Sequence, residues 1–327
     1  MLDNVARLRS LQAGQKSEEL ALGNPQDRNR GHGRSSSTNT AIFGSIFVVL
    51  AVVVIVVIAT LGSLGSSPLG GSIASQPVSR SLFRAVTQIP APVFGKTGKI
   101  SPGVSDQGVL VRLSTSAERS TSGGKPEIVY MGAEYCPFCA AFRWPFAIAL
   151  SRFGHFTGLK ETASGAHDSY PNTRTLSFYG SRYSSPYVSL STTEFNSNIC
   201  TKMVNGACSY PVLQRASAAN LHLISAYDVA KYFPTAEEAS GAEGGWIPFV
   251  YWAGRYVESG DFYSPNQLQG FTYADIEKAL KYPSIGAGQS ILQASNIDTA
   301  IICQIDGGKP GAVCESAPVR VSEAALP

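Results

Sequence analysis

The chain has 327 residues, 44% of them hydrophobic and 15% charged, which suits one large or two small packed domains and excludes a wholly disordered protein. Its formal net charge of +3 is small for that length, and no basic stripe interleaved with aromatic residues occurs. The electrostatic footprint of a nucleic-acid binder is therefore missing.

Residues 1–40 are rich in Arg, Ser, Gly, Asn and Gln and read as a disordered segment. From Ala41 to Leu61 no charge occurs over 21 residues. At 1.5 Å per residue that makes about 31 Å of helix, the thickness of a bilayer core, so a single transmembrane helix is expected over residues 41–62. Six Lys or Arg precede it, with Arg28, Arg30 and Arg34 close by, and none follows until Arg80. The positive-inside rule puts the N-terminus in the cytoplasm and all that follows outside, in the cell membrane's outer compartment. Residues 63–79 are Gly, Ser and Pro rich and read as a flexible tether. The folded part is expected to be an extracytoplasmic domain over residues 80–327.

Within that domain Glu127 to Gly132, "EIVYMG", has the pattern of a buried strand, and "CAAFRWPFAIALSRFG" reads as a helix ending at Gly154. Pro145 removes one of that helix's hydrogen bonds. The runs "TRTLSFYG" and "PYVSLST" read as a hairpin whose first strand joins the main sheet, opening an insertion over about residues 180–243. Helical sequence follows around Leu213 to Phe233. After Trp246 come two short strands, "FVYW" and "YVESGDF", and the helix "YADIEKALKY".

All six cysteines lie on the outer side, where an even number suggests disulfides, although six cysteines allow 15 connectivities. Nearest-neighbour pairing is the simplest expectation. Cys200 and Cys208 bracket an Asn205-Gly206 turn signal, and Cys303 and Cys314 bracket a loop rich in Gly with Lys309 and Pro310, so both pairs read as structural staples. Neither has metal-ligand spacing, and His32, His155, His167 and His222 form no local cluster, so neither metal nor cofactor is expected. Cys136 and Cys139 differ, since they stand where the strand gives way to the helix. Unsatisfied N–H groups and the positive end of the helix dipole favour a thiolate there, making Cys136 the attacking sulfur and Cys139, one turn on, the resolving thiol.

With these residues in view, "GAEYCPFC" resembles the active-site run of the thioredoxin superfamily. "GGWIPFVYWAGRYVESG", Gly244 to Gly260, resembles that superfamily's later signature: a cis-proline, a strand, a glycine-containing turn and a second strand. The resemblance implies an α/β, thioredoxin-like fold with a helical and hairpin insertion. It also implies a cis bond at Ile247-Pro248 that sets a substrate-docking edge against Cys136. The runs "KPEIVYMGAEYCPFCAAFRW", "TLSFYGSRYSSPYVSL" and "GGWIPFVYWAGRY" are similar to a family of membrane-anchored thioredoxin-like proteins of actinobacteria and archaea, which implies a fold and no activity. One departure stands out. The superfamily's buried acid falls near Tyr130, where no acid is present, and Glu134 matches a surface position.

The reading that follows is a membrane-tethered thiol–disulfide oxidoreductase whose partners are extracytoplasmic protein thiols and disulfides, or a membrane protein. The alternative is a non-catalytic binding or scaffold module of the same fold, with Tyr179, Tyr183 and Tyr187 as its interaction surface.

Overall fold

The computed structural model describes residues 71–97, 109–233, 246–283 and 286–327. The expected disordered segment, membrane helix and first part of the tether lie outside the described residues. Among the described residues no helix is long and apolar enough to cross a membrane.

The architecture is mixed α/β. Its strands in chain order are β1 (Gln76–Pro77), β2 (Val109–Arg112), β3 (Thr121–Ser122), β4 (Lys125–Gly132), β5 (His155–Thr157), β6 (Lys160–Ala163), β7 (Arg174–Ser177), β8 (Arg182–Ser184), β9 (Ser189–Glu194), β10 (Lys202–Val204), β11 (Ala207–Ser209), β12 (Phe249–Trp252) and β13 (Tyr256–Ser259). The main helices are α1 (Arg80–Thr87), α2 (Pro137–Ser151), α3 (Ala218–Tyr227), α4 (Tyr273–Lys281) and α5 (Ala287–Asp306).

The central sheet runs β9-β4-β12-β13-β2, with β9 parallel to β4 and the remaining pairs antiparallel. Side chains alternate along each strand, so the sheet has two apolar faces. Ile128, Tyr130, Val250 and Trp252 face a core built from α2, α5 and their neighbours, while Val129, Met131, Phe249 and Tyr251 face Leu223 of α3 and Phe233. Helices thus cover both sides of the sheet, and α2 packs most closely on α5.

The expected hairpin of residues 173–180 and 186–192 does not form. Its first strand, β7, pairs instead with β6 in a separate sheet that β1 completes, and its second run, as β9, enters the central sheet beside β4. Both runs carry a similar strand pattern, and the connection from β4 to β9, which includes α2, is long enough for β9 to lie parallel to β4. Residues 71–79, part of the expected tether, lie against the domain. Asn198 Nδ2 donates to Ile73 O at 2.6 Å, Ser75 Oγ to Thr162 Oγ1 at 2.8 Å, and Ser79 N to Glu161 Oε1 at 2.8 Å.

The hairpin turn at Ala253-Gly254 has positive φ at both residues, 50° and 80°, as a two-residue turn between right-twisted strands requires. Asn205-Gly206 repeats that geometry between β10 and β11, with φ of 51° and 80°. Pro145 sits inside α2 without ending it. The carbonyl it leaves unbonded, that of Ala141, accepts from the Tyr263 hydroxyl at 2.7 Å, so the missing backbone bond is replaced by a side chain from beyond β13.

Candidate functional site

Strand β4 ends at Gly132, and the chain turns through Ala133, Glu134 and Tyr135 before α2 begins. Cys136 is the N-cap residue of α2: its backbone is extended, and its Sγ accepts from Cys139 N at 3.2 Å. Pro137 follows at the first helical position, where a missing N–H costs nothing. Cys136 Sγ also lies 3.4 Å from the carbonyl oxygen of Ile247, and the Ile247–Pro248 bond is cis. Four of the expected site residues, Cys136, Cys139, Ile247 and Pro248, are therefore together at the end of the central sheet.

Cys136 and Cys139 carry free thiols, 5% and 0% exposed. Both sulfurs are therefore covered. Tyr135, Phe138, Phe195 and Ile247 pack around the pair. Beyond them lies an aromatic rim: Tyr135 stacks on Tyr210 at 4.5 Å between centroids, and Phe138 meets Tyr170 and Trp246 edge to face at 6.0 and 6.4 Å. Tyr210 follows β11 directly, so the loop held by Cys200 and Cys208 adjoins the site. The two staple pairs are at disulfide distance, each with a Cα–Cα separation of 5.6 Å. Cys303 and Cys314 lie apart from the site, tying the end of α5 to the short helix Gly311–Cys314.

Burial pushes the Cys139 thiol well above its ordinary range, and the neighbouring Cys136 adds to this, whereas Arg143 draws it back. Arg143 lies one turn further along α2 and is fully buried. Its Nε and Nη2 donate to Glu194 Oε1 and Oε2 at 2.9 and 2.6 Å, and Nη2 also donates to the Ala133 carbonyl at 2.7 Å. Burial pushes the Glu194 carboxyl upward and the guanidinium pulls it down. Two short bonds to one guanidinium favour the ionised pair. The pair joins α2 to the end of β9 and holds the turn that precedes Cys136.

Glu134, expected at the surface, is 2% exposed. Its carboxylate accepts from Ser177 Oγ at 2.5 Å and from Ser75 Oγ at 3.1 Å, so β7 and the segment before β1 both close over it. Tyr179, Tyr183 and Tyr187 are half-buried, each with a contact inside the domain. The Tyr183 hydroxyl donates to the Leu150 carbonyl at 2.9 Å, Tyr187 packs edge-on to Phe153, and Tyr179 lies under Lys160. Among the described residues no three His, Cys, Asp or Glu side chains converge as a metal site.

Sequence reading missed Arg143, Glu194, Glu134 and the aromatic rim. One signal for the first was present: Arg143 is the lone charge on an otherwise apolar helix, four residues after Cys139.

A family described as a domain of unknown function, DUF929, matches residues 112–304, more than half of the chain. The chain belongs to the DUF929 family. The DUF929 match holds Cys136, Cys139, the Cys200–Cys208 loop, Ile247 and Pro248, and ends one residue past Cys303. No curated protein and no solved structure matches.

Proposed function

We propose that this DUF929 protein is a thiol–disulfide oxidoreductase of thioredoxin-like fold, tethered to the membrane through residues 41–62 and acting on extracytoplasmic protein disulfides. One observation carries the reading: the Cys136 sulfur is held at the N-terminus of α2, 3.2 Å from Cys139 N, and 3.4 Å from the carbonyl that precedes a cis-proline. The order of the central sheet, strand, helix, parallel strand, then antiparallel hairpin, supports the fold. The arginines before Ala41 support the tether and its orientation.

In the reducing direction Cys136 thiolate attacks one sulfur of a client disulfide, a mixed disulfide forms, and the first client thiolate leaves. Cys139 then attacks Cys136 Sγ, the second client thiolate leaves, and a Cys136–Cys139 disulfide remains. Two electrons pass to the client, and the two protons lost by the cysteines are taken up by its sulfurs. The reverse sequence oxidises a client, and the direction follows the reduction potential of the pair against that of its compartment. The backbone of Ile247, ahead of the cis-proline and facing Cys136, supplies a docking edge for an extended client segment.

The test is trapping in cells. Cys139→Ser should accumulate a Cys136–client adduct that reductant releases, and Cys136→Ser/Cys139→Ser should not. Absence of any adduct, with Cys136 inert to a small alkylating reagent in the purified chain, would remove the oxidoreductase reading. The 5% exposure of Cys136 under its aromatic rim favours, as a second reading, a non-catalytic binding module, and that outcome would select it.

A further inference from the structure

We propose that the Tyr130 hydroxyl is the hydrogen-bond donor for the Cys139 thiolate at the moment this thiol resolves a mixed disulfide, an inference that rests on the oxidoreductase reading above. Tyr130 stands in the middle of β4, where its ring is fixed by three phenylalanines. It stacks against Phe142 and Phe146 at 5.9 and 5.7 Å and meets Phe178 edge to face at 5.3 Å. So clamped, the ring carries its hydroxyl to the space over Gly132. A methyl group on Gly132 would stand 2.2 Å from that oxygen and 3.1 Å from Cys139 Sγ, which bounds the separation of oxygen and sulfur at about 5.3 Å. Glycine keeps open the space that both atoms face.

The hydroxyl is buried and has no hydrogen-bond partner among the described residues. A buried donor left in this state costs stability, and the sulfur beside it is a weak acceptor as a thiol and a strong one as a thiolate. Its partner therefore arises during the reaction, so the bond favours the reacting state over the resting one. Burial also drives the phenol well above its ordinary range, so it stays protonated and acts as a donor, not as a base.

The other groups facing this sulfur fit that arrangement. Cys136 lies across the turn. Arg143 of α2 favours the thiolate, and its Nη1 is likewise a buried donor without a partner. Glu194 of β9 neutralises Arg143, and Asp261, which follows β13, is pushed well above the ordinary carboxylate range by burial, with Cys139 a lesser cause. In the step itself the Cys139 sulfur bonds to Cys136 Sγ and the Cys136–client bond breaks. The electron pair leaves on the client sulfur, which takes up the proton that Cys139 lost.

The purified full chain with its two loop disulfides intact can be mixed with an aromatic disulfide whose released thiolate absorbs visible light. The first release reports attack by Cys136 and the second reports resolution by Cys139. Tyr130→Phe should leave the first release within about twofold, slow the second about tenfold or more, and raise the pH midpoint of the second by about one unit. Its melting temperature should stay level or rise, because only an unpartnered oxygen is removed. Equal second phases in wild type and Tyr130→Phe would overturn the role of Tyr130 and leave the oxidoreductase reading standing. Equal slowing of both phases together with a lower melting temperature would assign Tyr130 to packing alone. If wild type releases nothing, the oxidoreductase reading fails and the role of Tyr130 falls with it.

Discussion

Replacing Glu194 with alanine strands a guanidinium in the interior, and the structure gives the size of the effect. Arg143 and Glu194 are both fully buried, and the carboxylate takes two of the three hydrogen bonds that Arg143 donates. Truncating one member of such a pair costs about 3–5 kcal/mol, because the other charge remains desolvated. For a domain of this size, about 2–4 °C per kcal/mol translates that into a fall of about 6–20 °C in melting temperature. Urea unfolding of the full chain should show the same loss as a lower midpoint with an unchanged slope. Glu194→Gln keeps an acceptor and should lose less. Arg143→Met/Glu194→Leu removes both charges and should recover most of the loss, short of the bond to the Ala133 carbonyl. A Glu194→Ala cost below about 1 kcal/mol, or a double variant as unstable as the two single losses added together, would refute the claim that this pair acts as one buried unit.

Gly132→Ala should destabilise the domain by about 1–3 kcal/mol in chemical unfolding, since the new methyl meets Tyr130 Oη at 2.2 Å and its ring carbon at 2.7 Å within a packed core. Adding Tyr130→Phe should return only part of that loss, and a neutral Gly132→Ala would show that the ring is free to move. Glu258 and Asp298 are fully buried acids pushed well above the ordinary carboxylate range, by burial in both and by Asp298 in the case of Glu258. The folded state thus holds protons that the unfolded chain releases from about pH 4. Their contribution is complete below that pH and is lost as pH rises toward the raised folded values. Melting temperature followed from pH 4 to 8 should therefore fall less in Asp298→Asn than in wild type, and parallel curves would count against the assignment.

Much of the site was legible in the sequence because its determinants are local. An apolar run ending in glycine, a cysteine at an N-cap and a proline at the first helical position specify a strand-to-helix junction within about a dozen residues. Ala253-Gly254 and Asn205-Gly206 specify hairpins, since their positive φ angles are needed wherever two right-twisted strands join by two residues. The loop staples follow from the turn signals between their cysteines.

The partner of β4 was not legible in this way. Residues 173–180 and 186–192 carry comparable strand patterns, and strand pattern states that a segment wants a sheet without naming its neighbour. The surroundings of the cysteines were equally hidden. Glu134 reads as a surface acid until Ser75 and Ser177, 59 and 43 residues away, supply its hydrogen bonds. Arg143 reads as an anomaly on an apolar helix until β9 brings Glu194 to it across 51 residues. The sequence by itself determined where the Cys136 and Cys139 pair stands on the backbone, because capping, turn geometry and apolar periodicity act over a few residues. Only the tertiary structure decided what surrounds that pair, because desolvation and buried polar contacts depend on which distant segments the closed core brings together.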